Sequence, residues 1–358
     1  MDSPLSMELL CSSPVSYRTA AVIRVRKGEN GTDRHVDPVV RRENMPCFAD
    51  TALPKPALVH PRSFLRRRAR KFPGKSLYCR TLCVIIPSND SEGDNFIMAN
   101  IRVFTFNMRT DAACDGRNAF SAERSAYIEK EFPKYEADVI GFQETRPEMR
   151  QWVIDHFPAY TVCGIGREAD LQGESNIIAY RTDRFDLVSL DTFWLSDTPH
   201  RPGSRFATDQ SSCPRICTVV TLRCKENGRL FRHYNTHLDH VGAFAQAQGI
   251  SLILNRMVAD YQTWQMPVIL TGDFNVTPES KVYATVNGFD GCGDTLVDVS
   301  ADVGFTFHAY QPEKTQEKID YIFTNIPADL TKSMKATDNE DGIYLSDHYP
   351  VGAIVSLD

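Results

Sequence analysis

The 358-residue chain has no apolar run near the roughly 20 residues that a membrane-spanning helix requires, so no membrane insertion is expected. Its first residues, MDSPLSMELLCSSP, lack a basic start leading into an apolar stretch. A secretory signal is therefore not expected, and a reducing, cytoplasmic setting is the default reading. None of the ten cysteines falls in a Cys-x-x-Cys pair, and no second cluster completes a zinc-type spacing. Cys213 and Cys217 lie four apart but read as free, buried thiols. Cationic surface is also scarce where a sequence-blind nucleic-acid clamp would need it. The formal charge of −6 divides into +6 for residues 1–97 and −12 for the remaining 261 residues. Such a body can carry a local cationic pocket or a bound metal, but not a broad basic face.

What is present falls into two parts. Residues 1–97 carry repeated prolines (Pro38, Pro46, Pro54, Pro56, Pro61), the basic run Arg66–Lys71, and no sustained helical or alternating period. They read as a disordered or dispensable extension, and Met98 as the start of a compact domain over 98–358. From Ile101 the pattern is that of a layered α/β domain. Strands are predicted at 101–107, 138–142, 175–180, 185–195, 216–223, 230–237, 267–270, 319–324 and 351–357. Between them, helices are predicted over 122–132, after a Thr145 cap with Pro147 near the start, over 243–261, and after Thr277-Pro278. With 42% hydrophobic and 24% charged residues, one domain of this size buries its own core, and a monomer is the expectation.

Polar residues sit where the apolar strands end. Asn107 closes the first strand, Glu144 follows the second, His237 closes another, and Asp273 and Asn275 follow the next. Asp320 opens a late strand, and Asp347-His348 precedes the last. Strand ends present side chains on the rim of a sheet, where a ligand can sit. Several carboxylates converging there repel one another, and a hard divalent cation relieves that repulsion, which favours magnesium or manganese over zinc. Histidines beside carboxylates add groups that move protons near neutral pH. Together these point to hydrolysis of a phosphate ester, in which charge on the leaving oxygen must be stabilised.

Six segments carry a further resemblance: Thr105-Phe106-Asn107, Gln143-Glu144, Asn235-Thr236-His237-Leu238, Gly272-Asp273-Phe274-Asn275, Ile319-Asp320-Tyr321-Ile322 and Ser346-Asp347-His348-Tyr349-Pro350. In that order they resemble the endonuclease/exonuclease/phosphatase superfamily. The resemblance implies a four-layer α/β sandwich, two packed mixed β-sheets flanked by helices, and hydrolysis of phosphoesters with Mg2+ or Mn2+. It implies Asn107, Glu144 and Asp347 as metal ligands, Asp273 as the residue that orients or deprotonates water, and Asn275 as a holder of that water or of a phosphate oxygen. His348 would stabilise the pentacovalent phosphate, with Asp320 orienting its ring. His237 would protonate the leaving oxygen or bind phosphate, and Arg215 would clamp an anionic oxygen. Asp239, His240, Glu174 and Asn176 stand where substrate contacts could fall, whereas Trp194 reads as core.

Two departures narrow the branch. Abasic-site endonucleases of the superfamily usually carry Asp two residues after the first Asn, and Asn in place of the His of the Thr-His-Leu segment. Here those positions are Arg109 and His237. No basic cluster of the kind inositol-polyphosphate phosphatases favour follows residue 98. The expected substrate is a small phosphorylated molecule. A nuclease acting on DNA or RNA, tethered by Arg66–Lys71, is the alternative, and a non-catalytic binding module of the same fold is the third.

Overall fold

In a computed structural model, residues 98–329 and 332–357 are described. The expected extension over 1–97, with its basic run, lies outside them. Strands β1 (Ala99–Asn107) and β2 (Val139–Gln143) are separated by helix α1 (Ser125–Glu131). Helix α2 (Pro147–His156), then β3 (Tyr160–Cys163) and β4 (Ile178–Arg181) follow. Next come β5 (Phe185–Trp194), β6 (Ile216–Cys224), β7 (Leu230–His237), the long helix α3 (Ala243–Thr263), β8 (Val268–Asp273) and α4 (Lys281–Val286). The chain closes with β9 (Val297–Asp298), β10 (Asp320–Thr324), β11 (Met334–Lys335), β12 (Asn339–Glu340), β13 (Ile343–Tyr344) and β14 (Val351–Leu357).

Two six-stranded sheets form, in the orders β11-β14-β1-β2-β4-β3 and β5-β6-β7-β8-β10-β9. Each is mixed, because β1 and β2 run parallel, as do β7 and β8, while the other pairs are antiparallel. Alternation along the strands builds the layers. On β1, Ile101 and Val103 face the second sheet and pack with Val220, Leu222, Phe231 and Ile269. Phe104 and Phe106 face outward onto Tyr127 and Ile128 of α1 and Met149 and Val153 of α2. The second sheet turns Phe193, Tyr234 and Leu270 onto Ile250, Ile253, Leu254 and Met257 of α3. A strand apolar on both faces is buried on both, so the order helix, sheet, sheet, helix follows from the side-chain pattern. This is the expected four-layer sandwich.

The sheets approach most closely beside a polar seam. A Cβ on Gly141 would stand 2.3 Å from Thr271 Oγ1 and 2.5 Å from Asn235 Oδ1, so only glycine fits there. Asn235 of β7 donates to the carbonyls of Phe142 (2.8 Å) and Ile177 (3.0 Å), and Gln143 of β2 donates to Asn235 Oδ1 at 2.7 Å. The amides of two of the motif segments thus staple sheet to sheet. His233 meets Thr271 Oγ1 at 2.7 Å within the same seam.

Local differences from expectation have plain causes. The first helix begins with a π-turn at Phe120–Arg124 and ends in a 3-10 turn at Phe132–Tyr135, where Pro133 supplies no N–H to continue the ladder. Arg146, not Thr145, holds the cap position of α2, and the Thr145 backbone instead bridges Ser175 in both directions. The strand expected from 175 starts at Ile178, because Ser175 is spent on that bridge. The helix after Thr277-Pro278 begins only at Lys281, capped by Ser280 Oγ, which accepts from Tyr283 N at 3.0 Å. Short strands β3, β9 and β11–β13 carry too few residues to show a period, so the pattern does not predict them. The six described cysteines are all free; Cys213 is half-buried and Cys217 buried.

Candidate active site

Register brings the polar strand ends to one rim. Parallel pairing sets His237 of β7 beside Asp273 of β8, and antiparallel pairing sets Asp273 beside Asp320 of β10. In the other sheet, Asn107 ends β1 opposite Gln143, so Glu144 emerges on the same side. The turn before β14 adds Asp347 and His348. Asn107 ties the two sheets together here: its Nδ2 donates to Glu144 Oε1 at 3.1 Å and to Asp273 Oδ2 at 2.9 Å, and lies 3.4 Å from His348 Nε2.

A second chain of contacts orients His348. Thr306 Oγ1 donates to Asp320 Oδ2 at 2.6 Å, and the same oxygen meets His348 Nδ1 at 2.8 Å. Lys318, two residues before Asp320, turns its ammonium to Ser300 O (2.9 Å) and Asp298 (3.7 Å). Burial opposes charge on His348, yet Asp320, Asp273 and Asp347 raise its pKa to about 10, so it is an imidazolium at neutral pH. Its Nε2 lies 3.8 Å from Asp273 Oδ2. Asp273 is pushed up to about 7 by burial and by Asp320, against His348. That places it where a general base is most useful. Burial, then Arg215, hold His237 well below its ordinary value, so it is neutral, with Nε2 at 3.5 Å from Asp273 Oδ2.

Glu144 has a left-handed backbone, φ 59°, a conformation that strains a non-glycine residue and collects at functional sites. Burial opposes its ionisation, but the Thr110 N–H donating to Oε2 at 2.8 Å and the nearby His348 hold its pKa down. Asn275 is also left-handed, φ 51°; its N–H donates to Asp273 Oδ1 at 2.9 Å and its Nδ2 to Leu238 O at 3.1 Å. Asp347 is pushed up by burial, with Glu144 adding to the shift.

Donor atoms of Glu144, His237 and Asp273 lie within 4.8 Å of one another, as do those of Asp273, Asp320 and His348. Two carboxylates and a neutral imidazole suit a divalent cation; the second group already holds an imidazolium and suits one poorly. Asp347 belongs to neither group.

Arg215, immediately before β6, is buried. Its Nη2 contacts His240 Nδ1 at 2.8 Å and its Nε lies 3.6 Å from Asp239, while Nε and Nη1 find no hydrogen-bond acceptor among the described residues. Burial and the nearby Arg167 guanidinium push its pKa down. Of the other residues singled out, Asp239 shapes a turn by accepting from Gly242 N at 2.8 Å and from Ser211 and Val241 N at 3.1 Å. Asn176 donates to Ile216 O at 2.8 Å, Glu174 is engaged by Arg167 at 2.7 Å, and Trp194 is core. Sequence reasoning misses Arg167 and Phe307, whose half-buried ring lies 4.8 Å from that of His348. Neither stands at a strand end, so nothing in the pattern marks them. Arg109 stands out in the sequence only as a departure; its Nε lies 3.6 Å from Asp347 Oδ2.

Comparison with known proteins identifies relatives of the fold and of the sequence. A structure from Bacteroides vulgatus, described as an endonuclease/exonuclease/phosphatase, is 30% identical with a TM-score of 0.65, covering 73% of this chain and all of that one. A mannosyl-6-phosphatase from Bacteroides thetaiotaomicron is 27% identical with a TM-score of 0.60, covering 72% of this chain and 100% of its own. Human Nocturnin is 26% identical over 251 residues, 64% of this chain and 53% of that protein, so the chain spans about half the length of the curated relatives it matches. Residues 104–348, which contain every strand-end residue described above, match the family model itself, and the chain belongs to the endonuclease/exonuclease/phosphatase family.

Proposed function

We propose that this chain is a divalent-metal-dependent phosphoester hydrolase acting on a small phosphorylated molecule, with Mg2+ or Mn2+ as cofactor. The observation that carries the reading is the convergence of Asp273, His237, His348 and Glu144 around Asn107, with a carboxyl near neutral pKa between a neutral and a charged imidazole. Glu144, with Asn107 beside it, would hold the cation, while Asp347, faced by Arg109, would not; oxygen donors of this kind fit a hard ion. When bound, such an ion polarises the phosphoryl oxygens and offsets developing negative charge.

The chain's own residues supply the rest. Asp273 takes a proton from water, and Asn275, whose N–H fixes Asp273 Oδ1, holds that carboxylate in place. His348, kept charged and aimed by Asp320, presents its Nε2 proton to the phosphate. His237, neutral and buried, binds a phosphate oxygen through its ring N–H. Arg215 offers to an anion its Nε and Nη1, which have no acceptor among the described residues. The acidic domain and the likeness to a mannosyl-6-phosphatase favour a small molecule over a polymer. We place the protein in the cytoplasm as a monomer.

The test uses the full chain with Mg2+ or Mn2+ and an Asp273→Asn control, on p-nitrophenyl phosphate, bis-p-nitrophenyl phosphate and single-stranded oligonucleotides. Monoester turnover lost in the control supports the reading. Oligonucleotide cleavage without monoester turnover would make it a nuclease. No metal-dependent turnover of any phosphoester, with metal still bound, would leave a binding module.

A further inference from the structure

Arg109 stands among the acidic residues of the metal-side rim, and its position is over-determined. Its N–H donates to Asn107 Oδ1 at 2.8 Å, and its backbone is left-handed, φ 48°. Its guanidinium grips Asp115 with two hydrogen bonds, Nε to Oδ2 at 3.0 Å and Nη2 to Oδ1 at 3.2 Å. The same Nε lies 3.6 Å from Asp347 Oδ2. Beneath it, the buried Arg124 donates to the carbonyls of Met108, Arg109 (2.8 Å) and Asn118 (2.5 Å), which locks the loop that carries Arg109. Asp347 is thus already faced by a fixed cation, and it lies outside both groups whose donors converge closely enough for an ion.

We propose that Arg109, clamped by Asp115, is the resident counter-charge of Asp347, so that this site takes one divalent ion, on the Glu144 side, rather than two. This rests on the metal-dependent reading above. A guanidinium within 4 Å of a carboxylate oxygen offsets its charge and repels an approaching dication. It cannot lose its proton to make way, because arginine stays charged at all accessible pH. Among the described residues no guanidinium or ammonium lies within 4 Å of Glu144; the Thr110 N–H and the Asn107 amide hold its carboxylate, and Arg109 and His348 act on it only from further off.

The experiment is Mn2+ titration of the full-length chain without substrate, by calorimetry and by Mn2+ electron paramagnetic resonance. The wild type is expected to bind one ion with an uncoupled spectrum. Arg109→Ala is expected to bind a second, or to bind the first at least threefold more tightly. Arg109→Lys, which keeps the charge, is expected to retain one. Wild-type binding of two ions overturns the proposal while leaving the hydrolase reading intact, and it does so whether or not the variants fold. An Arg109→Ala protein that melts like the wild type and binds one ion with affinity within twofold of it also overturns the proposal. Wild type that binds no ion and turns over no phosphoester overturns the metal-dependent reading, and this inference with it.

Discussion

Asp320 spends one oxygen on two partners, Thr306 and His348, and that arrangement makes its role separable from fold stability. Asp320→Asn keeps the shape but removes the charge that sustains the imidazolium. The pKa of His348 then falls, and the alkaline limb of kcat/KM moves to lower pH by at least about one unit, with a loss of roughly 10- to 100-fold. An unmoved limb would show that the ring is charged for another reason. Asp273→Asn and His348→Ala remove water activation and charge stabilisation. Each is expected to lower kcat by roughly a hundredfold to a thousandfold or more, read by steady-state kinetics against unchanged melting. Strand-end position alone marks Asn107, Glu144, His237, Asp273, Asp320 and His348. It cannot reveal that Asn275 props Asp273 through its backbone, or that Arg215 is buried with unmet donors, because both depend on neighbours that the fold brings close.

At the scale of elements, the close approach of the two sheets at Gly141 is the sharpest constraint. Gly141→Ala drives a methyl into Thr271 and Asn235 and disturbs the amides that staple β2 to β7. Overpacking of this kind costs about 1–3 kcal/mol, to be read as a lower urea midpoint with an unchanged slope. Core strands and the long helix α3 are legible in the sequence because each repeats its period over several residues. The two-residue strands and the π-turn before α1 are not, since their pairing is settled by contacts made after the chain folds back.

For the molecule as a whole, acid stability turns on buried neutral histidines. Burial lowers His233 to about 3 and His308 to about 4. Unfolded, each would titrate near 6.5, so below that pH the unfolded chain binds more protons than the folded one. Their contribution is fully present above about pH 6.5 and is lost as pH falls towards the folded values. The slope approaches roughly 1.4 kcal/mol per pH unit for each group well below pH 6.5. Urea melts from pH 7 to 4.5 check this, and His233→Gln is expected to flatten the slope; an equal slope would assign it to other groups.

Family, layering and the identity of the rim residues lie in the sequence itself. Apolar periodicity decides which faces must be buried, and the end of each apolar run marks where a polar side chain can meet solvent. Which polar residues act as structure and which as site is decided only in three dimensions. Gln143 and Asn235 stand in the motif segments next to rim residues and join the sheets, while Arg109 reads as a mere departure and faces Asp347. The reason is physical: burial and opposing charge depend on what the folded chain brings within a few ångströms. A strand's own sequence sets the direction of its side chains but not the identity of what they meet.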